Sequence, residues 1–139
     1  MTPDAIDPLT LGGAECLELL RTAAVGRVVY TDQALPAIQP VNYAMDGDRA
    51  LVIRTAPGSK LNAALRGAIV AFEIDEIDPA TRAGWSVTVV GPARAVTQEA
   101  EIDRLMRLLP GPWAPGRRDA FIRIGCRQVT GRILAPAAA

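Results

Sequence analysis

The sequence predicts a mainly β chain of the α+β kind, arranged as a small Greek-key barrel with short peripheral helices. Three observations carry that expectation. Short β-branched runs recur along the chain between turn residues, and a few stretches instead carry helical spacing. One long β segment is interrupted by Gly91-Pro92, where a strand has to bend. An open relative of the β-sandwich fits the same strand count.

In chain order, residues 1–12 are aperiodic and read as an N-terminal arm, with a domain expected over 13–134. Residues 14–21 place Cys16, Leu19 and Leu20 at helical spacing, with Glu15, Glu18 and Arg21 on the other side. Residues 25–31 and 35–44 read as two strands joined by the polar turn Asp32-Gln33-Ala34. The Asp46-Gly47 turn then leads into a third strand over 50–54. Pro57-Gly58 ends that strand, and a helix is expected from Ser59, with Leu61 and Leu65 four apart. Residues 68–77 form a mostly buried strand, and 85–96 the long bent one. A further helix runs from Thr97 to about Leu108, carrying Glu99 and Glu101 in its first turn. The Pro-rich stretch 110–118 is a stiff loop holding Trp113, residues 121–134 read as a last strand, and 135–139 as a disordered tail.

Composition excludes whole classes of function. The chain has 139 residues, the size of one domain of ~100–150 residues, and needs no disulfide or metal to build a core. Fifteen Lys plus Arg balance fifteen Asp plus Glu with no basic block, so neither nucleic acid nor an acidic membrane is an expected partner. There is no histidine, which removes the commonest general base, the Ser/His/Asp and Cys/His nucleophile systems and imidazole zinc sites. Cys16 and Cys126 form no Cys-x-x-Cys pair and read as small buried hydrophobes. The N-terminus lacks the order of a signal peptide and no apolar run nears the ~20 residues of a membrane span, so the expected location is cytoplasmic.

The single lysine stands in Arg54-Thr55-Ala56-Pro57-Gly58-Ser59-Lys60, where a strand end, a Gly turn and a helix start converge. A helix N-terminus favours an anion, a guanidinium can fork two phosphate oxygens, and hydroxyls and an ammonium can complete a phosphate cradle. An ordinary β-to-α turn with Ser59 as helix cap and Lys60 solvated fits the same spacing. The acidic set Glu73, Asp75, Glu76 and Asp78 reads as a solvated strand end, and Arg117-Arg118 as a solvated loop pair or a receiver of an anionic substrate.

Three ordered motifs carry a family resemblance: Gly26-Arg27-Val28-Val29, then Pro36-Ala37-Ile38-Gln39-Pro40-Val41-Asn42-Tyr43, then Ile53-Arg54-Thr55-Ala56-Pro57-Gly58-Ser59-Lys60-Leu61. Together they resemble the pyridoxamine 5′-phosphate oxidase-like flavoproteins, which share the FMN-binding split barrel, and the resemblance covers roughly residues 12–134. It implies a split β-barrel and FMN as cofactor. It implies that the backbone from Pro40 through Val41 and Asn42 to Tyr43 passes along the isoalloxazine ring, and that Arg54, Thr55, Ser59 and Lys60 hold the phosphate. It implies a homodimer with flavin sites drawing on both chains. Trp85 and Ser86 form a candidate further flavin-facing segment. Trp113 and Arg117 are candidate substrate contacts, with plain packing as the alternative for both tryptophans.

The implied chemistry is hydride transfer at the flavin between a nicotinamide cofactor and a small organic acceptor. No side-chain acid or base is required for that step, so the missing histidine is tolerable. That same absence departs from the oxidases proper, whose His and Arg side chains hold the substrate's phosphate, so the resemblance speaks to the cofactor more than to the substrate. Three other readings stay open: a deazaflavin-dependent reductase on the same barrel, a non-enzymatic flavin- or haem-binding module, and an empty barrel acting as a dimeric interaction protein.

Overall fold

Alternation along the β-branched runs becomes strand pairing in the computed structural model, which describes residues 9–56, 61, 65, 67–109 and 120–135. Among these, the elements are β1 (Thr10–Leu11), α1 (Gly13–Thr22), β2 (Val25–Asp32), β3 (Leu35–Asp46), β4 (Ala50–Thr55), β5 (Ile69–Asp78), β6 (Ala83–Ala95), α2 (Glu99–Leu108), β7 (Ala120–Gly125) and β8 (Gln128–Leu134). The strand order is β1-β8-β6-β5-β2-β3-β4-β7, and a further pairing of β6 with β7 closes the sheet on itself. The expected mainly β, split-barrel architecture is what the chain adopts.

Local chemistry accounts for the turns. Gln33 and Ala34 both take left-handed backbone angles, φ 50° and 67°, so the β2–β3 hairpin has a tight two-residue turn without glycine. Gly47 supplies φ 68° between β3 and β4, as the Asp-Gly signal predicts. α1 starts after Gly12 with Glu15 in its first turn and ends with Arg21 in its last, the charge order the helix dipole favours. It buries Cys16 and Leu20, about one turn apart, on the strands below.

β6 closes the barrel by serving both of its sheets. Its first part pairs with β8 from Gly84 to Val90, and Ala93 to Ala95 pair with β7 instead. The bend falls at Gly91-Pro92, where the sequence places it. A Cβ on Gly91 would stand 1.6 Å from the Gly125 carbonyl oxygen, so only glycine lets β6 and β7 approach this closely.

Two apolar clusters result. The larger fills the barrel with Leu20, Val28, Tyr43, Leu51, Ile53, Phe72, Val87, Val89, Ile122 and Ile124. The smaller lies outside β4 and β7 beneath α2 and joins Val52, Val96, Leu105, Leu109 and Phe121. Leu61 and Leu65 are buried in the larger cluster; the rest of the helix expected from Ser59 lies outside the described residues.

Three boundaries differ from expectation. The single strand expected over 121–134 is two, β7 and β8, broken at Cys126-Arg127 so that each serves a different stretch of β6. The last helix begins at Glu99 rather than Thr97, because Gln98 is still extended at φ −79°, ψ 129°. Thr10-Leu11, read as part of an aperiodic arm, pairs with Arg132 and Gly131 of β8. No helix among the described residues is long and apolar enough to cross a membrane.

Candidate functional site

The candidate site is built on the outer face of the sheet and on the end of β4. Directly paired strand residues share a face. Pro40 pairs with Arg27, Arg27 with Glu73, Glu73 with Thr88 and Thr88 with Thr130, which makes one continuous row across β3, β2, β5, β6 and β8. Asn42 and Ser86 stand two residues along their strands from Pro40 and Thr88, so they lie on this same face in the next row. Three strand spacings separate them, about 14 Å along the sheet.

The centre of that face is charged. Arg27 pairs with both Asp75 and Glu73, the latter at 3.1 Å. Burial pushes the Glu73 carboxyl up to about 7, assisted by its hydrogen bond and charge contact with Asp75, while Arg27 opposes the shift. Asp75 is held below its ordinary value, first by the hydrogen bond from Glu73. The acidic set is therefore an ion-paired carboxyl couple at Glu73 and Asp75, with Glu76, Ile77 and Asp78 exposed at the strand end. Among the described residues no three or more His, Cys, Asp or Glu side chains gather as a metal site.

Around this charge the same face exposes apolar side chains. Val25 is 54% exposed, Ile38 66%, Ile69 63% and Ile77 48%, all on outward-facing positions of β2, β3 and β5.

β3 and β4 separate where the family motifs lie. Their pairing runs from Asp46↔Ala50 to Tyr43↔Ile53 and stops, while the pairing of β4 with β7 continues through Arg54↔Phe121 and Thr55↔Ala120. Arg54 stacks its guanidinium 5.3 Å from the centre of the Phe121 ring and donates from Nη1 to the Leu109 carbonyl at 3.0 Å. Thr55, the next residue, points to the opposite side and is buried with its hydroxyl unpartnered. An unsatisfied buried hydroxyl costs about 1–3 kcal/mol, which a phosphate oxygen within reach would return. Among the described residues of this strand end, the Thr55 hydroxyl is buried without a hydrogen-bond partner. Ser59 and Lys60, the other phosphate candidates, lie outside the described residues, as do Trp113 and Arg117.

The remaining candidates divide by face. The Tyr43 side chain is buried, donates its hydroxyl to the Leu20 carbonyl at 2.5 Å and meets Phe72 edge-on at 4.7 Å. Burial pushes its phenol up to about 12, so it is a core residue and leaves only its backbone for a ligand. Val41 is likewise buried, whereas Pro40 and Asn42 are exposed. Trp85 and Ser86 emerge on opposite faces: Ser86 joins the outer row, and Trp85 packs toward α1. Both cysteines are free, and burial pushes both thiols up, so neither supplies a thiolate at neutral pH. Sequence reasoning missed Arg27 with its two carboxylates. The signal was available, since Arg27 on one strand and Glu73 and Asp75 on another have matching parity, but their pairing depends on register.

The family model for pyridoxamine 5′-phosphate oxidase matches residues 13–133. An uncharacterized protein of Mycobacterium tuberculosis is 41% identical over 127 residues, covering 87% of this chain and 82% of its own length. Among solved structures, the FAD binding protein from Mycobacterium smegmatis superposes with a TM-score of 0.81 at 35% identity, covering 92% of this chain and 99% of its own. A FAD-binding protein from Mesorhizobium loti gives 0.73 at 26% identity, over 91% and 96% of the two chains.

Proposed function

The chain belongs to the pyridoxamine 5′-phosphate oxidase family, and on that footing we propose that it is an FMN-binding oxidoreductase of the split-barrel kind. The observation that carries the cofactor is the buried, unpartnered hydroxyl of Thr55 at the end of β4. Thr55, Arg54, Ser59 and Lys60 are the residues proposed to hold the phosphate, which then sits past the end of β4, where side chains from its two opposite faces both reach it. The ring is proposed to lie on the outer face, along the Pro40–Tyr43 backbone and toward Ser86, where strand spacing leaves room for a flat tricycle. Bound there, the flavin supplies hydride transfer, with a nicotinamide cofactor as the proposed donor and a small organic molecule as acceptor. The protein's part is to position the ring, donate hydrogen bonds to its pyrimidine edge and exclude water.

The second copy enters through the same face. Exposed Val25, Ile38, Ile69 and Ile77 surround the Arg27 ion pairs, an apolar surface that a symmetric homodimer would cover. FAD in place of FMN is the second reading, favoured by the description of two relatives as FAD-binding.

An absorbance spectrum of the purified protein, followed by FMN and FAD titrations, tests the reading. Flavin bands or micromolar capture are expected, weakened at least roughly tenfold by Arg54→Ala or Lys60→Ala. Unchanged affinity in both variants would overturn the phosphate assignment. Tighter capture of FAD would select the second reading.

A further inference from the structure

A cavity of about 580 Å³ opens between α1, β1 and the paired ends of β6 and β8, and it is separate from the proposed phosphate end at β4. Its walls are apolar: Leu11 from β1, Leu19 from α1, Trp85 from β6 and the exposed Ile133 from β8. Trp85 and Ile133 are directly paired across the sheet, which lays the indole beside an aliphatic floor. The volume suits a small organic molecule, since ligand pockets typically run about 300–1,000 Å³.

The charged side chains of the lining itself are two carboxylates. Glu15 and Glu18 project from α1 into the lining, one helical turn apart, and both are exposed. Glu76 pairs with Trp85 across β5 and β6, so a third carboxylate stands on that face. Arg21 pairs with Glu18 at 3.3 Å and is shared with Asp48, while no ion pair of Glu15 is among those of the described residues. An apolar body with carboxylates at one end selects for a molecule of the inverse design, and an indole wall adds attraction for a cation.

We propose that this cavity binds a small amphipathic organic cation, a primary ammonium on an aryl or alkyl body. The body lies against Leu11, Leu19, Trp85 and Ile133, and the ammonium is held by Glu15 and Glu18. Anionic molecules of the same shape are rejected by the same carboxylates. The site stands independently of flavin binding, since none of its lining residues belongs to the β4 end or to the outer face.

The test is calorimetric titration of the full-length protein with three probes of one shape: 4-phenylbutylamine, 4-phenyl-1-butanol and 4-phenylbutyrate. The amine should bind roughly five- to tenfold more tightly than the alcohol, and the carboxylate most weakly. The double variant Glu15→Gln, Glu18→Gln changes only exposed positions, and in it the preference for the amine should vanish while residual apolar binding persists. Saturating FMN should leave amine binding unaltered. No binding of any probe, equal binding of all three, survival of the preference in the double variant, or displacement of the amine by FMN would each overturn the proposal.

Discussion

Arg123 of β7 donates from Nη2 to the Asp46 carboxylate at 2.5 Å, tying the far end of β3 to a strand that joins the sheet more than seventy residues later. Arg104 of α2 forks the same carboxylate at 2.8 and 2.9 Å, and Arg123 also reaches Glu101 at 2.7 Å. The hydrogen bonds from Arg104, together with the one from Arg123, hold the Asp46 carboxyl down to about 2 against the opposing effect of burial.

A carboxylate whose folded value lies below its unfolded one binds its proton more readily in the unfolded chain. The stability Asp46 contributes is therefore complete above its ordinary 3.8 and is lost as the pH falls toward about 2. Asp46→Asn should cost on the order of 2 kcal/mol at pH 7 and flatten the decline in stability between pH 4 and pH 2. Urea unfolding across that range measures both.

Glu73 has the opposite sign. Its folded value of about 7 lies above its ordinary 4.5, so the native state holds the proton more firmly and stability falls as the pH rises through that interval. Glu73→Gln should therefore raise stability at pH 8 by about 1 kcal/mol, Asp75 offsetting part of the gain, and change little at pH 5. Thermal unfolding at the two pH values separates a titration effect from a packing one.

Thr55→Val keeps the shape of the side chain and removes the unpartnered hydroxyl. Without flavin the variant should be more stable than the parent, by about 1–3 kcal/mol, while FMN affinity drops roughly five- to tenfold. Melting temperatures with and without FMN give both readings in one experiment. A loss of stability in the flavin-free protein would show that Thr55 has a structural partner.

Gly91→Ala should be the most damaging methyl addition in β6. Its Cβ would fall 1.6 Å from the Gly125 carbonyl oxygen, and backbone on both strands would have to part. The expected cost is about 3 kcal/mol or more, read from denaturant midpoints.

Elements whose signals are local were legible in the sequence. The Asp46-Gly47 turn, the Gly91-Pro92 bend and the Cys16/Leu20 face of α1 each depend on neighbouring residues, and each is where it was expected. The break at Cys126-Arg127 was not legible, because it exists only to let β7 and β8 pair with different parts of β6, which is a long-range requirement. For the site, the motif over Arg54-Thr55 falls at the end of β4, and strand alternation alone sends their side chains to opposite faces, but the contacts of Arg54 with Phe121 and Leu109 depend on long-range packing. Tyr43 was legible as a member of the motif and not as a core residue, since its partner, the Leu20 carbonyl, sits on α1.

Because residues 83–95 contribute hydrogen bonds to both sheets, neither half of the molecule can shed its ladder while the other keeps a full set. Opening therefore has to be shared, and amide protons on β5 and β7 should become exchangeable together, as one cooperative event rather than as two.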